Sequence, residues 1–513
     1  LLWFGIRGGT REHELNAFLT AGGSAGALLC AFSLVSTIIG GSATLGMGAL
    51  AQKVGPAAFW WLGVGAIGLF LHGLIIAPVI RKLPVVTLPD VLRHLAGPAA
   101  EKWAGAIIAL SWAAVTAAQF TALRALLHSI SGGMTAEVLY VLLAAGIVLH
   151  TALGGQRGIL RADFLHTILL LGGFSAAALW CVMERSADIA ALPVMPFTET
   201  FGLGDWVKMM LLVGITYLIG PDMFSRTFAA KNAQTARRAA WTAAPLLVFF
   251  GVIVTMLALL NIKAEQPISD WLAVGSPLPA AAAAALSMGL ISALAGSADT
   301  ILLSAAGIIE KDLFGGARAR AVRLWAAAVG ILAALAAYTS GDIIGWLLKG
   351  YALFVPGVAV PLLVLVAGRA RHADPKLWTS WAAGGGLGGL VGSLTGITLW
   401  TYGLAIALLP ALFLRSFAVR RAAQTRRRPP RHRFSRFHKS EALMSSSGFL
   451  ELDPDTQILY ALRAVFSERR QFLSDKAGRR SAASALLSND QSSSHDSRRL
   501  GHRRRCRRPG RRH

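Results

Sequence analysis

Cysteine is nearly absent from this chain, with three in 513 residues, at positions 30, 181 and 506. Two fall in apolar runs and one in a basic tail, which excludes a disulfide framework and a cysteine-based metal site. Acidic residues are also few, 26 Asp and Glu against 50 Lys and Arg. No H-E-x-x-H helix, phosphate-cradling Walker loop or cysteine–histidine cluster occurs, so metal and nucleotide chemistry lack their usual residues. A nucleophile with its base is missing too, and the chain is expected not to be an enzyme. Its start has no basic segment leading into a short apolar region and a cleavage site, so no cleavable signal peptide is expected.

Apolar sequence is what the chain has in excess. Hydrophobic residues make up 54% of it, glycine contributes 54 positions, and the mean hydropathy is +0.55. A bilayer-spanning helix needs about 20 apolar residues. Runs of that kind recur at 18–50, 57–80, 102–128, 135–152, 159–183, 205–225, 237–261, 278–309, 320–338, 343–367, 378–398 and 400–415. The opening LLWFGI reads as the end of one further span, so the chain is expected to be truncated at its N-terminus and to begin inside a helix. The sequence predicts an all-α membrane domain over 1–415, with about 12 full spans.

Loop charge sets the orientation. With the loop at 7–16 in the cytoplasm, alternate loops on that side carry Arg81, Lys82, Arg93, Arg157, Arg161, Lys231, Arg237, Arg238, Lys311, Arg318, Arg320, Arg323, Arg369, Arg371 and Lys376. The opposite loops hold little beyond Lys53, Arg185, Lys208 and Lys263. Retention of Lys and Arg on the cytoplasmic side implies a multi-pass protein of the inner or plasma membrane with a cytoplasmic C-terminus. The net charge of +24 is concentrated after Phe413, where about half of the Lys and Arg lie. Residues 416–513 are expected to form a disordered basic tail, weakly amphipathic only at 450–472. A tail of this kind suits the anionic lipid surface, and no specific nucleic-acid partner is expected.

Two motif matches fail on context. The stretch GGSAG at 22–26 fits G-x-S-x-G but lacks the strand–turn–helix of a nucleophile elbow. GVGAIG at 63–68 fits the dinucleotide fingerprint, yet it lies within a span rather than after a strand. Small residues at that spacing let membrane helices approach closely.

Polar groups inside the apolar runs are more telling. The stretch 291–314, ISALAGSADTILLSAAGIIEKDLF, carries Ser297, Asp299 and Thr300. Such groups at membrane depth are costly unless they serve an ion, a substrate or a partner. Ala293, Gly296, Ser297 and Thr300 follow i, i+3, i+4, i+7 and share one helix face. Small residues and oxygens there suit a small hard cation; hydroxyls bonded back to their own helix fit the same pattern. In the first run, Gly40, Gly41 and Ser42 interrupt a stretch longer than a span needs. Either glycine allows close packing there, or the helix is broken and its freed carbonyls serve a cation.

Other polar positions also have two readings. Asp222 and Arg226 are four apart, an ion pair that either moves with an inner gate or stays fixed at a helix end. Asp163 stands beside Arg161, close enough in sequence for a plain salt bridge. Lys349 lies within a span, either to snorkel outward or to meet a substrate carboxylate. Thr116, Gln119 and Tyr217 are polar enough to face a central cavity.

Five segments occur in order: STIIGGSATLGMGALAQKVGPAAFWW, APVIRKLPVVTLPDVL, TALGGQRGILRADFLH, GPDMFSRTFAAKNAQTARRA and ALAGSADTILLSAAGIIEKDLF. Over 1–415 the chain resembles the sodium:solute symporters, which include proline, pantothenate, acetate, sialic acid and sugar cotransporters; the Arg-rich tail is atypical. The resemblance implies a leucine-transporter-type five-plus-five inverted repeat, with the partial helix before it and two helices after it. It implies sodium-coupled symport of a small organic solute, with sodium as cargo. The main sodium site would lie between the first and eighth core spans. Carbonyls of Ser36, Ile39 and Ala293 and the side-chain positions Gly296 and Ser297 would form it. The family usually has a hydroxyl where this chain has Gly296, so one ligand is expected to be lost. A second cation or proton site is implied at Asp163, Asp299 and Thr300. Substrate would lie beside Gly40 and Gly41, with Thr116, Gln119, Tyr217 and Lys349 around it. A proton-coupled symporter, or a solute sensor on the same scaffold signalling through its tail, are the alternatives.

Overall fold

Glycine and proline divide the apolar sequence into helices. The computed structural model describes residues 14–131, 133–193, 196–261, 268–272, 276–367 and 375–395, and every regular element among them is a helix. The first span is α1 (Ala27–Ile38) and α2 (Met47–Val54), separated by a break at 39–41 and a wide π turn over Ser42–Gly46. The second contains α3 (Trp60–Leu71). Gly97, at φ 90°, turns the chain into α4 (Pro98–Ile130), where Pro98 occupies a first turn that needs no donor. At 33 residues, α4 extends ~50 Å, more than the ~30 Å hydrocarbon core.

The 52-residue α5 (Gly133–Glu184) is two spans joined at Gly155, whose φ of 54° and ψ of −170° no L side chain adopts readily. A Cβ there would also lie 2.7 Å from the Phe18 ring. The next span is broken in its turn. α6 (Ile215–Ile219) ends at Gly220, whose ψ of 143° leaves the helical region before α7 (Pro221–Ala229) begins. α8 (Ala233–Leu260) is capped by Asn232, which accepts from the Thr235 N–H at 2.8 Å. α9 (Ala280–Ile308), α10 (Ala319–Ala336), α11 (Ile343–Phe354) and α12 (Pro375–Thr395) complete the described helices used below.

Eight of the described helical stretches are long and apolar enough to cross a membrane, and α1 is a shorter apolar helix. The surface is apolar where a soluble protein's would be polar. Leu324, Leu332 and Leu335 on α10 and Leu142 on α5 are exposed, whereas Ser36, Asp163, Arg226 and Asp299 are buried. Lipid as solvent produces that inversion, because apolar side chains can face it and polar groups must pair inside. α9 packs chiefly against α5 and α4, and also against α10 and α1. At Gly173 of α5 a Cβ would stand 2.2 Å from the Ala285 carbonyl oxygen, so the two backbones touch. Gly68 makes the same approach to Gly214, with 2.1 Å from its Cβ position to the carbonyl oxygen. The 63–68 glycines thus serve helix packing.

The run 18–50 does not form one span from its start. Ala21 and Gly22 take φ values of 52° and 66°, a left-handed turn that a right-handed helix cannot contain, and α1 begins only at Ala27. The partial helix at LLWFGI, the span at 400–415 and the tail at 416–513 lie outside the described residues.

Candidate functional site

The break in the first span creates the site. Ile39 leaves helical geometry at φ −88°, ψ 83°. The Gly40 N–H turns to the Ile38 carbonyl at 3.2 Å, so the Ser36 carbonyl loses the donor a continuous helix would give it. The Gly41 N–H donates to Gln119 Oε1 of α4 at 2.8 Å. On the other side, Ser297 Oγ of α9 donates to the Thr37 carbonyl at 2.8 Å. A Cβ on Gly40 would lie 2.4 Å from Gln119 Oε1 and 2.6 Å from Ser297 Oγ. Glycine at 40 is what lets three elements converge on a stretch of non-helical backbone. Ile39 and Ala293 are buried with them.

A charged cluster lies beside this junction. Asp163 of α5 is fully buried and pairs through Oδ2 with Arg226 Nη2 of α7 at 2.9 Å. Ser33 Oγ donates to the same oxygen at 2.5 Å, and Ser36 Oγ donates to Oδ1 at 2.9 Å. Arg226 Nε donates to Ser33 Oγ at 2.8 Å, and its Nη2 also donates to Thr300 Oγ1. Thr37 Oγ1 joins Thr300 Oγ1 at 3.1 Å. His166, one turn along from Asp163, is buried with neither ring nitrogen hydrogen-bonded among the described residues, its Nδ1 3.8 Å from Asp163 Oδ1.

Several sequence expectations are redistributed by this geometry. Arg226 pairs with Asp163, not with Asp222, whose Oδ1 has no hydrogen-bond partner among the described residues. Asp222 sits in the first turn of α7, where unpaired backbone N–H groups favour a carboxylate, so its side chain belongs to the helix end. Asp163 likewise does not pair with Arg161, which is exposed on the other side of the helix. Asp163 and Thr300 meet at Arg226, but Asp299 belongs to a separate cluster. Its Oδ2 is 2.7 Å from His150 Nδ1 and its Oδ1 accepts from Thr151 Oγ1 at 2.6 Å. One shared site for Asp163, Asp299 and Thr300 is therefore not what the fold builds.

Gly296 holds no empty ligand position. Its Cβ would lie 2.0 Å from Ser36 Oγ, 2.8 Å from His166 Nδ1 and 3.1 Å from Asp163 Oδ1, so other polar atoms already fill the space. Lys349 does not turn inward. It is exposed, with Nζ 5.3 Å from the centre of the Trp346 ring, where a ring face stabilises the ammonium. Thr116 Oγ1 donates to the Trp112 carbonyl of its own helix at 2.7 Å. Tyr217 is buried against Gly65, its ring 2.7 Å from that glycine's Cβ position.

Ser33, Thr37, His150 and His166 belong to these clusters and were not singled out from sequence. Their mark was visible: Ser33, Ser36 and Thr37 share one helical face, and both histidines lie within apolar runs. A cavity is lined by Thr87, Gln156, Pro221, Ser225, Ser304 and Gly307. Ser225 joins it to the charged cluster, because Arg226 Nη1 donates to Ser225 Oγ at 2.9 Å.

No protein-family profile matches the sequence, and no curated protein is similar to it. Among solved structures, the chain is similar to a Na+-coupled sialic acid symporter in a substrate-bound outward-open state, a structure that reveals a novel Na+-site. The TM-score is 0.58 at 15% identity, covering 77% of this chain and 95% of that one. At that identity the likeness is one of fold: an all-helical, multi-pass membrane protein of the leucine-transporter type.

Proposed function

We propose that this chain is a secondary active transporter that moves a small organic solute together with Na+ across the membrane by alternating access. The observation that carries the proposal is the meeting of the 39–41 break with Ser297. It puts the Thr37 carbonyl, whose helical donor Gly41 turns to Gln119, and a buried hydroxyl from another span at one place, oxygens of the kind suited to a hard cation. Likeness in fold to a Na+-coupled symporter supports the same reading. In this proposal the carbonyls of Ser36, Ile39 and Ala293 and the hydroxyl of Ser297 hold Na+. Solute sits against the backbone of Gly40 and Gly41, with Gln119 and Tyr217 beside it. A cation bridging α1 and α9 stabilises the arrangement in which both sides contribute ligands, and so shifts the population between conformations. The membrane potential adds about 2.3 kcal/mol per charge per 100 mV. Asp222 and Arg226 lie on α7, next to the cavity, where movement of the half-helix would gate release.

Reconstitution into proteoliposomes tests the proposal. Labelled amino acids, carboxylates and sugars are offered with an inward Na+ gradient or with K+ in its place. Accumulation of at least one solute only with Na+ is the expected result, and no Na+-dependent accumulation of any overturns it. Proton coupling is favoured by one specific observation, the buried His150–Asp299 pair, with a second buried histidine, His166, on the span after Gly155. Accumulation driven by an acid exterior without Na+ would select that alternative.

A further inference from the structure

Among the described residues Asp163 is the carboxylate most completely removed from water, and the guanidinium paired with it comes from another helix. Arg226 is, among the described residues, the cation hydrogen-bonded to it; His166 Nδ1 stands 3.8 Å away without a hydrogen bond, and Arg161 is exposed. Around the guanidinium stand the Asp163 carboxylate and the hydroxyls of Ser33, Ser225 and Thr300, drawn from α5, α1, α7 and α9. Asp163, Ser33 and Thr300 are each more than nine-tenths buried, as is Arg226 itself. A carboxylate with converging hydroxyls is the donor set of a hard monovalent or divalent cation, and a guanidinium occupies its centre.

We propose that Arg226 is a tethered cation, filling an oxygen cradle around Asp163 that would otherwise bind a free monovalent cation. A guanidinium does not lose its proton in proteins, so the charge is permanent and stays with the protein. A mobile ion would cross with the solute; this one remains on α7. The cradle therefore contributes no ion to the cargo, and on the transport reading above the coupling ion must bind at the junction of α1 and α9. The tether also ties half-helix α7 to three other elements through one side chain. Ser225 both lines the cavity and accepts from Arg226, which gives a small solute a route to the cradle once the side chain is shortened.

Thermal unfolding of the purified full chain in detergent tests this without any transport assay. The probes are methylguanidinium, Na+ and choline at equal ionic strength. Wild type is expected to respond to methylguanidinium no more than to choline. Arg226→Ala is expected to unfold several degrees lower and to regain most of the loss, saturably, with methylguanidinium, and part of it with Na+. The double variant Arg226→Ala/Asp163→Ala should regain nothing specific. Equal effects of all three salts on Arg226→Ala, or equal rescue with Asp163 removed, overturn the proposal. Should Arg226→Ala not be recoverable, Arg226→Gln decides. Stability equal to wild type overturns the tethered charge, whereas a loss reversed by adding Asp163→Asn supports it. Because no flux is measured, these outcomes stand whether or not Ser297 binds Na+.

Discussion

Ser297 Oγ donates to the Thr37 carbonyl at 2.8 Å, from the middle of α9 across to the end of α1. The hydroxyl spends its proton on that carbonyl, and its oxygen keeps lone pairs for a cation. The bond and a ligand role are therefore compatible: the contact orients the oxygen toward the break without consuming it. The same contact is a seam between two helices that have to separate if α1 and α9 move apart in a transport cycle.

Removing that oxygen gives the first prediction. Ser297→Ala should raise the Na+ concentration for half-maximal uptake by about tenfold, the effect of ~1.4 kcal/mol. Solute affinity at saturating Na+ and surface expression should change little. A Na+ dependence identical to wild type would remove Ser297 from the cation site.

The second concerns Gly296. From sequence alone, Gly296→Ser is expected to restore a missing ligand and tighten Na+ binding. The Cβ position, 2.0 Å from Ser36 Oγ and 2.8 Å from His166 Nδ1, points the other way. Overpacking in a filled interior costs about 1–3 kcal/mol. Gly296→Ala and Gly296→Ser should both lower the unfolding temperature, and Ser36 must give up its bond to Asp163 to make room. The cost should shrink in a Ser36→Gly background, which frees the contested space. Normal stability with tighter Na+ binding in Gly296→Ser would show that the space is available after all.

The helices and their breaks were legible because their causes are local. Gly40-Gly41-Ser42 is weak helix wherever it stands, and Gly155 separates two apolar runs that sequence alone placed at 135–152 and 159–183. The pairings were less legible. Spacing of four joins Asp222 to Arg226, whereas the partner Arg226 takes is 63 residues away on another helix. The local rule lost because Asp222, also buried, lies in the first turn of α7 beside unpaired backbone N–H groups, whereas Asp163 has the Arg226 guanidinium as its counter-charge. His166 shows the same limit. Its position three after Asp163 is plain in the sequence, but that it faces Ser36 and the Gly296 hollow depends on how α1, α5 and α9 meet.

Lys349 supplies the third prediction, and the structure reverses its sense. An ammonium exposed over the Trp346 ring makes no approach to the break. Lys349→Met should leave the affinity for acidic solutes within about twofold of wild type, below the ~1.4 kcal/mol that a tenfold change represents. Lys349→Arg should be silent, since a guanidinium stacks on the same ring. A selective loss of carboxylate solutes in Lys349→Met would return this residue to the substrate site.

Gln119 makes the most demanding test of the junction. Its Oε1 is the acceptor for the Gly41 N–H, at 2.8 Å, in backbone that has no helical partner to fall back on. Gln119→Leu keeps the volume and removes the acceptor, leaving a buried donor unsatisfied at a cost of about 1–3 kcal/mol. If the break is held open by that bond, the variant should lose solute affinity and Na+ affinity together, because both proposed sites share the 39–41 backbone. Gln119→Glu retains an acceptor oxygen at the same place and should keep more of both than Gln119→Leu does. Paired Na+ titrations and solute titrations on the purified variants separate the cases. A Gln119→Leu protein that loses solute binding while its Na+ affinity stays at the wild-type value would make Gln119 a direct solute contact and leave the break to be held by Ser297 and Thr37 alone.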